Sequence, residues 1–239
     1  MKKQETIEFN SHGAPMAVTL FYDSEYGIEG VVENLQDAIE VNALFYKGCK
    51  DLPTELTLTL LCYRHEYDEV LGWASSSWGS GLTRDNNIYT FHPDRRAIET
   101  SHSKESFVNT LTHEVSHVFS KSIFKKELWW TKEGVAQYLA KQDSFKELDD
   151  ENVEHFIAHS LDKNIKYSEF VNDHQGHQIS KKMGYAIGEK FGPKALLSLL
   201  GVEPEDERGR SLIAKILNVP LENLEEEVRS LLFAPVKSM

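Results

Sequence analysis

The chain has 239 residues, 40% of them hydrophobic and 27% charged, enough to bury a substantial core and typical of a globular protein. Its 38 acidic residues against 26 lysines and arginines give a formal net charge of −12, whereas nucleic-acid binding leaves a basic footprint. No run approaches the roughly 18 apolar residues of a membrane span, and the basic start Met1-Lys2-Lys3 is followed by no apolar stretch. No nucleic-acid partner, no membrane and no signal peptide are therefore expected, and the protein is placed in the cytoplasm. The acidic runs at 203–207 and Glu225-Glu226-Glu227 read as solvated faces. Two cysteines, Cys49 and Cys62, are too few for a disulfide framework and read as reduced packing residues.

Residues 6–9 and 17–22 alternate as strands do, with a turn-like Ser11-His12-Gly13-Ala14-Pro15 between them. Ile28, Val31, Val32, Leu35, Ala38 and Ile39 fit a 3.6-residue period and predict a helix over 27–46. Leu56, Leu58, Leu60 and Cys62 alternate with Thr57, Thr59, Leu61 and Tyr63, a strand expected to be buried on both faces. The Ser-, Gly- and Asn-rich stretch over 73–87 reads as a loop. A short strand over 88–92 stops at Pro93 and is assigned to a sheet edge, where substrate backbone could be clamped. From Lys104 the pattern is helical almost to the end, with Ser103 as N-cap of a helix reaching Ile123. Further helices are predicted over 131–141, 153–160, 179–191, 193–200, 210–217 and 222–233, with Gly192-Pro193 separating two of them. No internal repeat or low-complexity tract is present. Strands with one helix come first and helices follow, an α+β order without βαβ alternation. The expectation is one domain over 1–239, with a sheet-containing half over 1–123 and a helical half over 124–239.

His113-Glu114-Val115-Ser116-His117 is an H-E-x-x-H run inside a predicted helix. At about 100° per residue, His113 and His117 stand only about 40° apart, so both imidazoles can reach one metal ion. Glu114 is displaced round the same helix, near such an ion but off it, where a base for water belongs. Phe107, Leu111, Val115, Val118 and Phe119 lay an apolar stripe beside the histidines, so the helix packs in a core. The bland alternative, a surface helix with two solvated histidines, does not explain that stripe. A third ligand must come from another segment. Glu133, in Trp130-Thr131-Lys132-Glu133-Gly134, opens the next predicted helix sixteen positions beyond His117, far enough for the chain to reverse. Alone, a first-turn glutamate needs no more than the helix dipole to explain it; beside the histidine pair it becomes the candidate ligand.

H-E-x-x-H followed by W-x-x-E-G, then Ala136 and Tyr138, resembles the gluzincin metallopeptidases, and among them compact peptidase-MA-like domains. Tyr185 through Gly188, Phe191-Gly192, Ala195-Leu196 and Leu199-Leu200 resemble the family's later helix more loosely. The interval from His117 to Glu133 is shorter than in the large aminopeptidases and thermolysin-like enzymes, so none of their substrate pockets is transferred. The resemblance implies a zincin-like fold with a mixed N-terminal sheet, a helical C-terminal half and an active-site cleft between them. It also implies one Zn2+ on His113, His117 and Glu133, with Glu114 activating water to hydrolyse a peptide or protein substrate. The family's tyrosine tends to face the cleft, which makes Tyr185 the first candidate for a second donor to the developing oxyanion. His174 and His177, in the polar stretch over 172–178, are second choices. The rival of another class is a catalytically silent zinc-binding or sensing protein on the same fold, against which the intact Glu114 argues. His155 and His159 share i,i+4 spacing but have Phe156 where a base would stand, and read as a surface pair. Trp129 and Trp130 read as packing around the ligand segment rather than as a substrate platform.

Overall fold

The computed structural model describes residues 1–235 except 12, 13, 76, 78, 143 and 173. Two compact units divide the chain, Met1–Ile123 and Phe124–Met239. In the first, β1 (Lys2–Ser11) and β2 (Ala14–Asp23) pair antiparallel from Lys2↔Asp23 to Ser11↔Ala14. Both strands outrun the expected 6–9 and 17–22, because alternation marks only the buried stretch of a strand while backbone pairing carries beyond it. His12 and Gly13 of the expected turn lie outside the described residues.

β3 (Glu55–Leu61), β4 (Gly81–Arg84) and β5 (Asn87–Phe91) complete a five-stranded mixed sheet in the order β1-β2-β3-β5-β4. β2 and β3 run parallel, so α1 (Glu29–Phe45) between them is a crossover and the three form a βαβ unit. That corrects the expected absence of βαβ alternation: with a hairpin preceding it, one crossover helix does not stand out in the order of elements. Leu56, Leu58 and Leu60 are at most 3% exposed, whereas Thr57 and Thr59 are half-buried. β3 is therefore fully covered on one face and partly on the other, where Leu61 is 2% exposed.

The edge assignment moves as well. β5 lies inside the sheet between β3 and β4, and the edge strand is β4, in the stretch expected to be loop. A two-residue turn joins β4 to β5, with Asp85 in the left-handed region at φ 54°, a conformation aspartate tolerates better than most side chains. Two short helices were not foreseen, α2 (Arg64–Leu71) and α3 (Pro93–Glu99). Pro93 ends the strand as expected but also opens α3, where its missing N–H is no loss. α4 runs Phe107–Ile123, starting past Ser103, whose carbonyl accepts from Ser106 Oγ at 2.7 Å. Ser103 is thus not its N-cap. α1 packs on α4, where buried Asn42 donates from Nδ2 to the Thr112 carbonyl at 3.1 Å. Tyr46 also stacks on Phe119, with ring centroids 5.6 Å apart. Cys49 and Cys62 are both free thiols, and burial pushes Cys62 up to about 11.

The second unit is helical: α5 (Trp129–Leu139), α6 (Asp150–His159), α7 (Tyr167–Asn172), α8 (Gly176–Phe191), α9 (Pro193–Leu200), α10 (Gly209–Ile216) and α11 (Leu224–Phe233). α7 was not foreseen, since six residues are too few to show a period. Gly192, with φ 83°, ends α8 in the left-handed region and Pro193 opens α9.

α5 packs on α8 backbone to backbone. A Cβ on Gly184 would stand 2.3 Å from the Gly134 carbonyl oxygen, and one on Gly134 would stand 2.7 Å from the Ser180 carbonyl oxygen. One on Gly188 would meet the Tyr138 ring at 2.5 Å. The glycine after Glu133 and the tyrosine at 138 thus have a physical reason: they set how closely α5 approaches α8. Gly184→Ala is expected to cost about 1–3 kcal/mol of stability, the range of overpacking, because helix backbone rather than a side chain must move. Chemical denaturation checks this, and an unchanged midpoint would show that the two helices are not held this closely. Among the described residues no helix is long and apolar enough to cross a membrane.

Candidate active site

In the first unit, α4 carries His113, Glu114 and His117. His117 Nε2 lies 3.1 Å from His113 Nε2, and the two rings stand perpendicular with centroids 4.7 Å apart. Nitrogens bonded at about 2.0–2.1 Å to one tetrahedral zinc are about 3.3–3.4 Å apart, so the pair meets the distance that a shared ion requires. The donor types fit zinc too.

Glu114 is 6% exposed. Its Oε2 accepts a 2.7 Å hydrogen bond from Thr83 Oγ1 on the edge strand β4, which also stands 3.1 Å from the Glu114 carbonyl oxygen. Its Oε1 faces Gly81, where a Cβ would stand only 2.6 Å away, with Thr110 Cγ2 at 2.8 Å. Two buried groups share this surrounding. Arg96, 0% exposed, bonds Ser103, Ser106, Ser80 and Thr110. Burial pushes its guanidinium down to about 10, while the Glu114 charge pulls the other way, so it stays cationic at neutral pH. Tyr67 donates to the Gly81 carbonyl at 2.8 Å, and burial first, then Glu114's charge, raises its pKa. Thr83 holds the carboxylate by a hydrogen bond, and the chain leading into and opening its strand is tied by Arg96 at Ser80 and by Tyr67 at Gly81.

Gly81→Ala tests that fixation. The atoms nearest the intruding methyl belong to the Glu114 and Thr110 side chains and none to backbone, so the fold is expected to hold while the Glu114 carboxylate is pushed aside. Any turnover that depends on this carboxylate is expected to fall by up to about 100-fold, the penalty of a misplacement near 1 Å, with metal content unchanged. Undiminished turnover would show that the carboxylate's place does not depend on the bare backbone at 81.

In the second unit, α5 presents Glu133 in its first turns, 4% exposed. Tyr167 Oη on α7 donates to Glu133 Oε1 at 3.4 Å, and His177 Nδ1 stands 3.4 Å from Oε2. His177 sits in the first turn of α8 rather than in a loop. Trp129 packs edge-on against Tyr167 at 5.2 Å and donates from Nε1 to the Ile165 carbonyl at 3.0 Å. Trp130, 1% exposed, donates to the Leu161 carbonyl and meets Phe156 edge-on. The tryptophans fasten the segment that carries Glu133.

The other sequence candidates fall as follows. Tyr185 is 0% exposed, its ring edge-on to Tyr138 at 5.5 Å and to Phe145 at 5.2 Å. His174 stacks on His155 at 3.6 Å, and His155 is 4.7 Å from His159. Burial, then the His174 and His159 imidazoles, hold His155 below its ordinary pKa. Sequence reasoning missed Gly81, Thr83, Arg96 and Tyr167. Gly81 and Thr83 lie in the stretch read as loop, and Arg96 and Tyr167 lie on helices too short to be anticipated.

No family model and no curated protein sequence matches the chain. Solved structures do. The M1 zinc metallopeptidase of Deinococcus radiodurans superposes with a TM-score of 0.57 at 11% identity, over 98% of this chain and 53% of that one. The fold is peptidase-like. A variant of that enzyme bound to a Tyr-Ser-Ala substrate gives a TM-score of 0.58 at 12% identity, over 98% of this chain and 53% of that one. A two-domain M1 zinc metallopeptidase variant bound to L-arginine gives 0.56 at 12% identity, over 100% of this chain and 54% of that one. The chain spans about half the length of these structures.

Proposed function

We propose that the chain is a zinc-dependent peptidase that hydrolyses peptide bonds of a peptide or protein substrate. His113, His117 and Glu133, two imidazoles and a carboxylate, would hold one zinc ion, a donor set suited to a catalytic zinc. The observation that carries the reading is the carboxylate of Glu114, buried and hydrogen-bonded beside the converging histidine nitrogens. A site that held zinc for structure alone would have no use for a fixed base next to its ligands. The likeness to M1 zinc metallopeptidases in fold supports it further.

Zinc held by these residues would supply Lewis acidity, bringing the pKa of water down to about 7 and polarising the scissile carbonyl. Glu114 takes the proton as the water oxygen bonds to the carbonyl carbon, then passes it to the amine nitrogen as the carbon–nitrogen bond breaks. Thr83 keeps the carboxylate in place for both transfers, and Tyr167 and His177 orient Glu133. The resemblance alone offers the Tyr185 hydroxyl, on a fully buried ring, as a donor to the developing oxyanion. Tyr185→Phe keeps the aromatic packing and removes only the hydroxyl, so kcat is expected to fall about 10²–10³-fold at unchanged KM. An unaltered kcat would leave Tyr185 a packing residue.

Chelation and zinc return test the reading as a whole. A chelator-stripped chain is expected to be inert towards a mixed peptide library, and stoichiometric zinc to restore cleavage. A zinc-loaded chain that cleaves nothing would contradict it.

A further inference from the structure

The helical unit holds another convergence of donors, on residues that play no part in the proposed centre. His155 lies on α6, Glu169 on α7 and His174 between α7 and α8. One ligand atom from each stands within 4.8 Å of the others. The imidazoles of His155 and His174 stack with centroids 3.6 Å apart and planes 12° from parallel. His174 Nε2 is 3.7 Å from Glu169 Oε1. His155 Nε2 is buried and has no hydrogen-bond partner among the described residues. A buried polar nitrogen without a partner calls for an explanation, and a coordinated cation would supply one.

We propose that His155, Glu169 and His174 bind a second transition-metal ion, zinc or one of its borderline neighbours such as nickel or cobalt. Two imidazoles and one carboxylate exclude calcium and magnesium, which take oxygen ligands. Bonds of about 2.0–2.2 Å put tetrahedral donors about 3.3–3.6 Å apart. Stacked rings do not aim their in-plane lone pairs at one point, so coordination turns one imidazole out of the stack and draws in the Glu169 side chain, which is 42% exposed. His159, one helical turn from His155 with ring centroids 4.7 Å apart, stands ready as a fourth ligand. No carboxylate follows His155 in the place of a base, so the site binds without hydrolysing. Coordination would tie α6 to α7 and to the approach to α8. Tyr167 on α7 and His177 on α8 are set against Glu133, so the ion would brace the segments behind the proposed third ligand. The site shares no residue with His113, His117 and Glu133 and stands whether or not zinc binds there.

The test is the zinc stoichiometry of the stripped full chain, titrated against a chromophoric chelator. Wild type is expected to take two zinc ions per chain, and His174→Ala and Glu169→Gln one each. His113→Ala is expected to keep the ion at the second site. Glu169→Gln replaces an exposed carboxylate by an amide of the same shape, so it stays informative should His174→Ala misfold. A wild type with one ion that His174→Ala loses and His113→Ala keeps would uphold this site and contradict the catalytic one. If neither His174→Ala nor Glu169→Gln lowers the number of ions bound, the proposal is overturned.

Discussion

Glu114→Gln is expected to leave zinc bound and to lower peptide hydrolysis by about 10²–10⁴-fold, the contribution of a positioned general base. The amide fills the same volume between Thr83 and Gly81, and it can still accept from Thr83 Oγ1 through its carbonyl oxygen. What it lacks is a basic lone pair to receive the proton of water. The loss therefore belongs to kcat, with KM and the zinc content close to those of the parent chain. Steady-state kinetics and metal analysis of the same preparation separate the two quantities. Activity retained in full would remove Glu114 from the chemistry and leave its burial beside the histidines without a purpose.

Glu133→Ala removes the proposed ligand that comes from the second unit. Zinc affinity is expected to fall by more than about 100-fold, beyond the effect of losing an outer-shell partner, and cleavage at low zinc to vanish with it. Tyr167 and His177 remain but lose the carboxylate they are set against. Competition with a chelator of known affinity measures the change. A variant that keeps the parent's affinity and turnover would show that the third ligand is another group. The two substitutions are deliberately different: one separates chemistry from binding, whereas the other abolishes both.

The histidine pair was legible because i,i+4 spacing is a property of any α-helix, and α4 has the 3.1 Å convergence of nitrogens that this spacing promised. The long helices were legible for the same reason, since α1 and α8 are long enough to display their period. What holds the Glu114 carboxylate was not. β4 is four residues in a Ser-, Gly- and Asn-rich stretch, and its strand character comes from pairing with β5 through a turn at Asp85, a tertiary cause that composition does not record. Missing β4 hid Gly81 and Thr83 and put the sheet edge on the wrong strand. Arg96 was hidden differently: a cationic side chain reads as surface until the fold closes around it, and here it is fully buried. The glycines at 134 and 188 stood out in the motifs and Gly184 did not, yet the reason for all three, the close approach of α5 to α8, appears only once both helices are in place.

The most direct measurement is anomalous scattering at the zinc edge from crystals of the zinc-loaded chain. The account predicts a zinc ion bonded to the imidazoles of His113 and His117 and to the carboxylate of Glu133. An ion held by the two histidines with the Glu133 carboxylate turned away from it, or no ion at His113 and His117, would contradict it.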